Sequence, residues 1–262
     1  MKTLLLTMIV SVAAAALPSV AAQQDSRCYE LRTYRTAPGK MEALHKRFRD
    51  HTLRLFTRHG ITSLGYWERL DKDGQPAGQL TFLLSYPDRP AREKSWKAFL
   101  ADPDWQAAAR ESESNGPLLV KDGVTSIFLK ATDYSPAFAT GTAAGAGERT
   151  FELRIYKCEP GRLPNLNARF RDHTLKLFSK HGMTNVGYWT PMDAAQGADD
   201  TLIYILAHKS REAAAASFKG FREDPDWVAA RKASEEKAGG SLTVKDGVTS
   251  VFMKPTDYSP TK

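Results

Sequence analysis

The sequence repeats itself over most of its length. Residues 29–67 align with residues 151–189 without a gap, at a constant offset of 122, and 22 of the 39 aligned positions are identical. After a two-residue shift, VKDGVTSIFLK at 120–130 aligns with VKDGVTSVFMK at 244–254. Two copies of about 110 residues indicate a duplicated domain, whereas a solenoid array needs at least about three repeats. We expect two similar units that face each other.

Residues 1–22 have the pattern of a secretory signal peptide. Lys2 precedes an apolar stretch, and small residues follow at Val20-Ala21-Ala22, as in peptides that are cleaved on export. We therefore expect cleavage after Ala22 and a periplasmic or secreted protein. The apolar stretch is too short to cross a bilayer, and the sequence predicts no membrane span.

The charge distribution argues against a nucleic-acid partner. The chain has 37 basic and 30 acidic residues, which gives a net charge of +7. Basic and acidic residues alternate along predicted helices, as in FRDHTLRLFTRHG, and do not form blocks of one sign. Such alternation is typical of solvated helix faces, so we expect no nucleic acid as a partner.

The pairing of the two cysteines stays open from the sequence. An oxidising compartment favours a disulfide between Cys28 and Cys158. However, Cys28 aligns with Thr150 and Cys158 aligns with Thr36, so the duplication did not place the two thiols together. The separation of their Cα atoms decides between a bridge and two free thiols. Neither cysteine has the spacing of a zinc ligand, and no metal site is predicted.

Each repeat predicts the element order β-α-β-β-α-β. In the first repeat, residues 27–36 alternate as a strand does. Apolar residues spaced by three and four then predict a helix from Pro38 to His59, which Gly60 ends. Further strands are predicted at 61–69, 79–86 and 123–130, and further helices at 90–101 and from Asp102 onward.

This order is that of the ferredoxin-like fold, whose sheet has helices on one face. Two such sheets can cover each other's open faces. We therefore expect an α+β protein in which two ferredoxin-like repeats are fused into a pseudo-twofold α/β barrel. The predicted domains are residues 27–134 and 149–258, joined by a flexible linker at 135–148 that is rich in Ala, Gly and Thr. The repeats thus form an intramolecular pseudo-dimer, and further homo-oligomerisation is left open.

A longer motif occurs in both copies. HTLRLFTRHG at 51–60 and HTLKLFSKHG at 173–182 are each preceded by YELR or FELR and followed by GYW. In this combination the chain resembles the NIPSNAP family along almost the whole of each repeat. The resemblance implies the dimeric α/β-barrel fold, here within one chain, and no generally assigned reaction. Some eukaryotic members are mitochondrial and associated with trafficking or mitophagy, roles that the secretory signal makes inapplicable.

One polar face of the first strand is retained in both repeats. Its members are Glu30, Arg32 and Tyr34 and their counterparts Glu152, Arg154 and Tyr156. If Leu31 and Leu153 pack under the helices, this set points into the barrel between the two sheets. One interpretation is a structural Glu–Arg ladder, because buried charges must be paired. The other is a pocket in which an arginine receives an anionic or carbonyl oxygen and a tyrosine donates a hydrogen bond or a proton.

Histidines and tryptophans provide further ligand-binding candidates. His51 and His173 lie at the edge of the first helix's apolar stripe, where an imidazole acts as a base or a ligand or bonds to backbone. Trp67 and Trp189 each follow a glycine in a strand, which is typical of a bulge or a close approach. We consider both tryptophans as cavity-lining residues.

These patterns favour a secreted NIPSNAP-like protein that binds a small molecule or a partner between sheet and helices, with no cofactor. No catalytic residue is assigned, because no nucleophile elbow, phosphate loop or dinucleotide fingerprint occurs. The alternatives are a cofactor-free enzyme of the monooxygenase or isomerase type, which related dimeric α/β barrels include, and a haem-handling barrel. Tyr86 becomes His208 and Trp96 becomes Phe218 in the second repeat, which predicts two similar pockets of unequal competence.

Overall fold

Eight strands form a closed barrel, and the helices pack on its outside. The computed structural model describes residues 25–138, 141 and 149–262. The strands are β1 (Cys28–Thr36), β2 (Thr62–Leu70), β3 (Pro76–Tyr86), β4 (Leu119–Ala131), β5 (Thr150–Cys158), β6 (Thr184–Pro191), β7 (Thr201–His208) and β8 (Thr243–Pro255). The helices are α1 (Met41–Arg47), α2 (Leu53–Arg58), α3 (Arg89–Ala101), α4 (Pro103–Ser112), α5 (Leu163–Arg169), α6 (Leu175–Lys180), α7 (Arg211–Glu223) and α8 (Pro225–Ala238). The expected signal peptide at 1–22 lies outside the described residues, as does most of the expected linker.

The strands of the two repeats join at two equivalent seams. Their order around the barrel is β1-β3-β2-β8-β5-β7-β6-β4. Glu68 of β2 pairs with Lys254 of β8, and Lys130 of β4 pairs with Thr190 of β6, both antiparallel. Because the seams are equivalent, a pseudo-twofold axis relates the repeats. The predicted fold, two ferredoxin-like repeats fused into an α/β barrel, is confirmed.

None of the helices in the described ranges is long and apolar enough to cross a membrane.

The interior of the barrel is one apolar core that both repeats supply. Leu31 and Leu153 are 5% and 6% exposed and belong to it. Two further cores lie between the sheet and the helices, one in each repeat. Since side chains alternate along a strand, Glu30 and Arg32 face the helices on either side of Leu31. The prediction that the polar set points between the two sheets is therefore wrong, because Leu31 and Leu153 face the core that the two sheets share.

The first helix of each repeat is interrupted by a π-helical turn. The sequence predicts one helix that runs to His59, whereas the structure has α1, a π turn at Phe48–Thr52 and then α2. The hydroxyl of Thr52 donates to the carbonyl oxygen of Arg47, five residues earlier, at 3.1 Å. A π turn inserts an extra residue into the helix and is frequent at functional sites. Here Arg47 and Phe48, although adjacent in sequence, are both buried, 6% and 2% exposed.

The two cysteines are free thiols. Cys28 lies in the helical core of repeat 1 and Cys158 in that of repeat 2. Burial raises the pKa of each thiol to about 11. Of the two alternatives that the sequence left open, the structure thus has the unbridged one.

Candidate functional site

A buried ion cluster lies beneath helix α3 in repeat 1, with Glu30 at its centre. The Glu30 carboxylate is fully buried and accepts hydrogen bonds from Arg32 at 2.5 Å and from Arg92 at 2.8 and 3.0 Å. The hydroxyls of Ser126 and Tyr86 donate to it at 2.6 and 3.1 Å. Burial raises the pKa of Glu30, but the bonds from Arg92 and Ser126 and the charges of both arginines outweigh it and hold the pKa at about 2. The carboxylate is therefore ionised at neutral pH.

Aromatic rings hold both guanidinium groups of the cluster in place. The guanidinium of Arg32 lies 4.3 Å from the ring centre of Trp96, and that of Arg92 lies 5.2 Å from it. The indole N–H of Trp96 in turn donates to the Tyr86 hydroxyl at 2.7 Å. Arg32 also donates to the Tyr34 hydroxyl at 3.3 Å. Cation–π contacts of this kind are stronger when the charge is withdrawn from water, so β1 and α3 present a preorganised pair of cations.

A cavity of about 340 Å³ opens beside the cluster, between the sheet and helices α1 to α4. The residues that line it are Arg32, Tyr34, Arg47, Phe48, Thr52, Phe56, Arg92, Trp96, Phe99, Leu100 and Trp105. Three of these eleven described residues are arginines, five are Phe or Trp, and none is acidic or a histidine. The volume is within the range of about 300–1,000 Å³ that is typical of small-molecule sites.

Arg47 closes one side of the cavity. Its guanidinium lies over the ring of Trp105 at 5.2 Å, and Nη1 lies 3.1 Å from a carboxylate oxygen of Glu113, whose side chain is 43% exposed. The Nε atoms of Arg47 and Arg32 are buried and have no hydrogen-bond partner among the described residues. A buried donor without an acceptor costs about 1–3 kcal/mol. Among the described residues, Arg149 and Arg169 also have a buried Nε without a partner, and Arg32 and Arg47 are the two of these arginines that belong to the wall of this cavity.

The buried cluster carries an excess of positive charge. Glu30 supplies one negative charge, whereas Arg32 and Arg92 supply two positive ones. Arg92 also lies 3.3 Å from Glu93, but the side chain of Glu93 is 59% exposed, so water screens that pair. A buried cation without a counter-charge is strongly unfavourable. The cavity therefore has the electrostatics of an anion site.

Repeat 2 contains an equivalent buried Glu–Arg pair, Glu152 and Arg154, with a different set of partners. Glu152 accepts hydrogen bonds from Arg154 and Ser250, and Nε2 of His208 lies 3.0 Å from its second oxygen. The guanidinium of Arg154 lies over Phe218 at 4.5 Å. Burial raises the pKa of Glu152, but His208, Arg154 and Ser250 lower it overall. One arginine faces one carboxylate here, so the cluster has one fixed positive charge fewer than the cluster of repeat 1.

The structure brings the polar candidates together in two groups, one in each repeat. Arg32 and Tyr34 line the cavity of repeat 1, and Glu30 lies directly behind Arg32. Arg154 likewise contacts Glu152 and the hydroxyl of Tyr156. In repeat 1, Glu30 and Arg32 thus form an ion pair within the fold, and Arg32 also belongs to the wall of a cavity.

The two tryptophans lie on the opposite face of the sheet. Trp67 and Trp189 are 0% and 2% exposed in the barrel interior. A Cβ atom added at Gly65 would lie 2.1 Å from the ring of Trp67, and one added at Gly187 would lie 2.3 Å from that of Trp189. The close approach is therefore real, but the sheet separates both rings from the arginine-lined cavity.

The two histidines also lie away from the arginine-lined cavity. His51 is half-buried, and His173 is exposed on the helical surface of repeat 2. His173 borders an open groove of about 690 Å³ beside α8, and Lys176, Lys180 and Asp226 also line that groove. A second groove of about 490 Å³ crosses the outer face of α8. Exposed charged side chains form much of both grooves, so neither has a buried polar arrangement like that around Arg32.

Sequence reasoning did not single out Arg47 and Arg92. Arg47 begins the run that is identical in both repeats and has Arg169 as its counterpart, so a repeated signal existed. Arg92 has Ala214 as its counterpart and lies in a charged helical stretch. No repetition marked it, and only the packing of α3 against β1 reveals its place.

Comparison with known proteins supports the family on both repeats. The NIPSNAP family model matches residues 29–136 and 151–260. A provisionally assigned monooxygenase from Lactobacillus acidophilus is similar over 90% of this chain and 96% of its own, with a TM-score of 0.55 and 11% identity. An anthrone oxidase-like protein has a TM-score of 0.54 and 12% identity over 93% of this chain and 97% of its own. A NIPSNAP domain protein from Burkholderia xenovorans is 27% identical over 42% of this chain and 99% of its own, with a TM-score of 0.35.

Comparison with curated proteins gives no significant match. The two structures that cover about nine-tenths of the chain have low sequence identity, so they show a shared fold and no shared reaction. The two family matches together span most of the chain, one on each repeat. The chain belongs to the NIPSNAP family and contains two NIPSNAP domains in tandem.

Proposed function

We propose that this protein binds a small organic anion in the cavity of repeat 1, between the sheet and the helices. The observation that carries the proposal is the charge of the cavity wall. Arg32, Arg47 and Arg92 line it, whereas none of its described lining residues is acidic. An anionic ligand would compensate the excess charge of the cluster, which otherwise remains buried at a cost.

The wall also indicates the rest of the ligand. Phe48, Phe56, Trp96, Phe99 and Trp105 form an apolar surface around the guanidinium groups. Guanidinium groups bind carboxylates through paired N–H donors, and aromatic side chains favour a planar apolar body in offset or edge contact. An aromatic monocarboxylate fits this chemistry and the cavity of about 340 Å³.

Binding agrees with the wall better than catalysis does. A cofactor-free enzyme needs a group that accepts a proton from the substrate, and a haem site needs an axial ligand such as histidine. Apart from the indole N–H groups of Trp96 and Trp105, the protic groups without a fixed positive charge in the wall are the hydroxyls of Tyr34 and Thr52, and His51 lies elsewhere. The names of the oxygenase-like neighbours describe those proteins, which share the fold at 11 and 12% identity.

The proposal includes an extracytoplasmic location. Residues 1–22 have the charge, apolar core and small-residue end of a secretory signal. We therefore expect export to the periplasm or the medium and cleavage after Ala22. N-terminal sequencing of the protein from a periplasmic fraction tests this, and an intact N-terminus in the cytoplasmic fraction would contradict it.

The binding proposal is tested by titration calorimetry on the mature chain with benzoate and 3-phenylpropionate, and with benzamide as the neutral counterpart of benzoate. We expect the carboxylates to bind and benzamide to bind at least about tenfold more weakly, a difference of about 1.4 kcal/mol. Arg47→Met should weaken benzoate binding by a similar factor. Arg169→Met changes the equivalent position of repeat 2 and should leave the affinity unchanged. Equal binding of benzoate and benzamide, or no binding of either carboxylate, would contradict the proposal.

A further inference from the structure

We infer that Arg92 is the residue that makes the cavity of repeat 1 selective for anions, and that the equivalent place in repeat 2 is closed to them. The inference rests on the proposed function and deepens it, because it gives one anion site to each chain. Its basis is a set of coordinated differences around the two equivalent carboxylates, Glu30 and Glu152.

The first difference concerns charge. At the constant offset between the repeats, Arg92 corresponds to Ala214, which is fully buried. Arg92 binds Glu30 through Nε and Nη2. With this carboxylate neutralised by Arg92, the charge of Arg32 remains uncompensated at the cavity wall. Repeat 2 has no second arginine at this place, so the negative charge of Glu152 compensates the positive charge of Arg154.

The second difference compensates for the first. Since Ala214 offers no donor, Glu152 needs another partner, and His208 supplies it at 3.0 Å. The residue at the equivalent position of repeat 1 is Tyr86, whose hydroxyl donates to Glu30 at 3.1 Å. An imidazole contacts the carboxylate's oxygen and, unlike the guanidinium of Arg92, is not a fixed positive charge. The histidine thus takes the place of a partner for Glu152 without adding a second guanidinium, while its own Nδ1 is buried without a partner among the described residues.

The third difference concerns the free donor of the conserved arginine. Arg154 donates its Nε–H to the hydroxyl of Tyr204 at 2.9 Å, and this tyrosine is its direct cross-strand neighbour. Phe82 stands opposite Arg32 in the same register. Because phenylalanine has no hydroxyl, Nε of Arg32 has no partner among the described residues. Arg154 therefore has all three nitrogens engaged, whereas Arg32 keeps a donor unused.

Charge and donor capacity change in the same direction. Repeat 1 has a second guanidinium and an unpaired Arg32 donor next to a cavity, while in repeat 2 Arg154 is the one guanidinium that binds Glu152 and has all three of its nitrogens bound. The sequence already predicts pockets of unequal competence, and the structure assigns the difference chiefly to Arg92, a position that the comparison of the repeats had not singled out.

The experiment exchanges the two sets of residues in the full mature chain and measures benzoate binding by calorimetry. A triple variant, R92A with Y86H and F82Y, gives repeat 1 the partners of repeat 2. We expect it to bind benzoate at least about tenfold more weakly than the parent protein, which should bind one equivalent per chain. Arg89→Ala removes a positive charge from the same helix outside the cavity wall and should leave the affinity within about twofold.

The outcomes separate the inference from the proposed function. If the parent binds benzoate but the folded triple variant binds it equally well, the role of Arg92 is wrong while the proposed function stands. Two equivalents per chain, one of them lost in Arg154→Met, would also overturn the inference. If the parent binds neither benzoate nor 3-phenylpropionate, the proposed function fails and the inference fails with it. If the triple variant does not fold, Arg92→Gln takes its place, because glutamine keeps a hydrogen-bond donor toward Glu30. We expect the same loss of benzoate affinity, at least about tenfold, and an unchanged affinity would overturn the inference.

Discussion

The hydroxyl of Tyr258 lies 2.8 Å from Nδ1 of His45, although 213 positions separate these residues along the chain. Tyr258 follows the last strand of repeat 2, whereas His45 lies in helix α1 of repeat 1. The equivalent tyrosine after β4, Tyr134, donates to Asn167 of repeat 2 at 2.8 Å. Each repeat therefore completes the helical core of the other, and the two NIPSNAP domains are interdependent.

The placement of Tyr258 in the helical core of repeat 1 also supports the candidate site. The ring of Tyr258 stacks on Phe48 with a centroid distance of 6.1 Å and an angle of 10° between the planes. Phe48 is part of the cavity wall. A residue of repeat 2 thus supports the aromatic side of the cavity in repeat 1 from behind.

Removal of Tyr258 should weaken both the fold and the site. Tyr258→Phe loses the contact with His45 and should lower the free energy of unfolding by about 1 kcal/mol. Tyr258→Ala also loses the ring and should lower it by about 3–5 kcal/mol and weaken benzoate binding. Urea unfolding and calorimetry measure these effects. Equal stability of the two variants would show that the ring does not support Phe48.

Gly65→Ala should destabilise the barrel, because the new methyl group would overlap the ring of Trp67. We expect the free energy of unfolding to fall by about 2–3 kcal/mol. Gly220→Ala is the milder comparison and should cost less, since its Cβ would lie 3.0 Å from Nδ1 of His181, a side chain that needs to move by only a few tenths of an ångström, and alanine favours the helix by up to about 1 kcal/mol. In a double-mutant cycle with Trp67→Leu, the Gly65→Ala penalty should shrink. An unchanged penalty would mean that backbone conformation, and not the ring, requires glycine.

Much of the fold was predictable because the duplication repeats every element, so each strand and helix is indicated twice. Which face of the first strand points into the barrel was not predictable from the alternation of apolar and polar residues. That alternation is the same whether Leu31 or Glu30 points inward. The answer depends on the apolar core that forms when the two sheets meet. The π turn at Phe48–Thr52 leaves the apolar spacing of the helix nearly unchanged. A pocket between sheet and helices was predicted from the sequence, whereas the part of Arg92 was not, because Arg92 reaches Glu30 from a helix 62 positions further along the chain.

The cysteines offer a test of whether the two thiols are buried in separate cores. Cys28 and Cys158 are 1% and 2% exposed, and burial raises the pKa of both thiols to about 11. Because the thiolate is the reactive form, we expect no labelling by iodoacetamide at pH 8 in the native protein. After unfolding without reductant, mass spectrometry should show two labels on each chain. A loss of two hydrogens in place of two labels would reveal a disulfide and contradict the separate placement of the thiols.

Glu30 should make the stability depend on pH at the acid end. Its pKa is about 2 in the folded protein, against 4.5 for a free glutamate side chain. A carboxyl group with a depressed pKa stabilises the fold fully above its unfolded pKa, and this contribution is lost as the pH falls through the folded pKa. The free energy of unfolding should therefore decrease between about pH 5 and pH 2. Glu152, whose pKa is also lowered, adds a second contribution in the acid range.

Glu30→Gln isolates the first contribution. At pH 7 the variant leaves Arg32 and Arg92 without their counter-charge and should be less stable by about 3–5 kcal/mol. The gap between the variant and the parent should narrow as the pH falls toward 2, because protonation of Glu30 in the parent removes the same charge. Glu93→Gln, at a side chain that is 59% exposed, should stay within about 0.5 kcal/mol of the parent. Parallel pH profiles for the parent and Glu30→Gln, measured by urea unfolding, would show that this carboxylate does not hold the arginine cluster together through its charge.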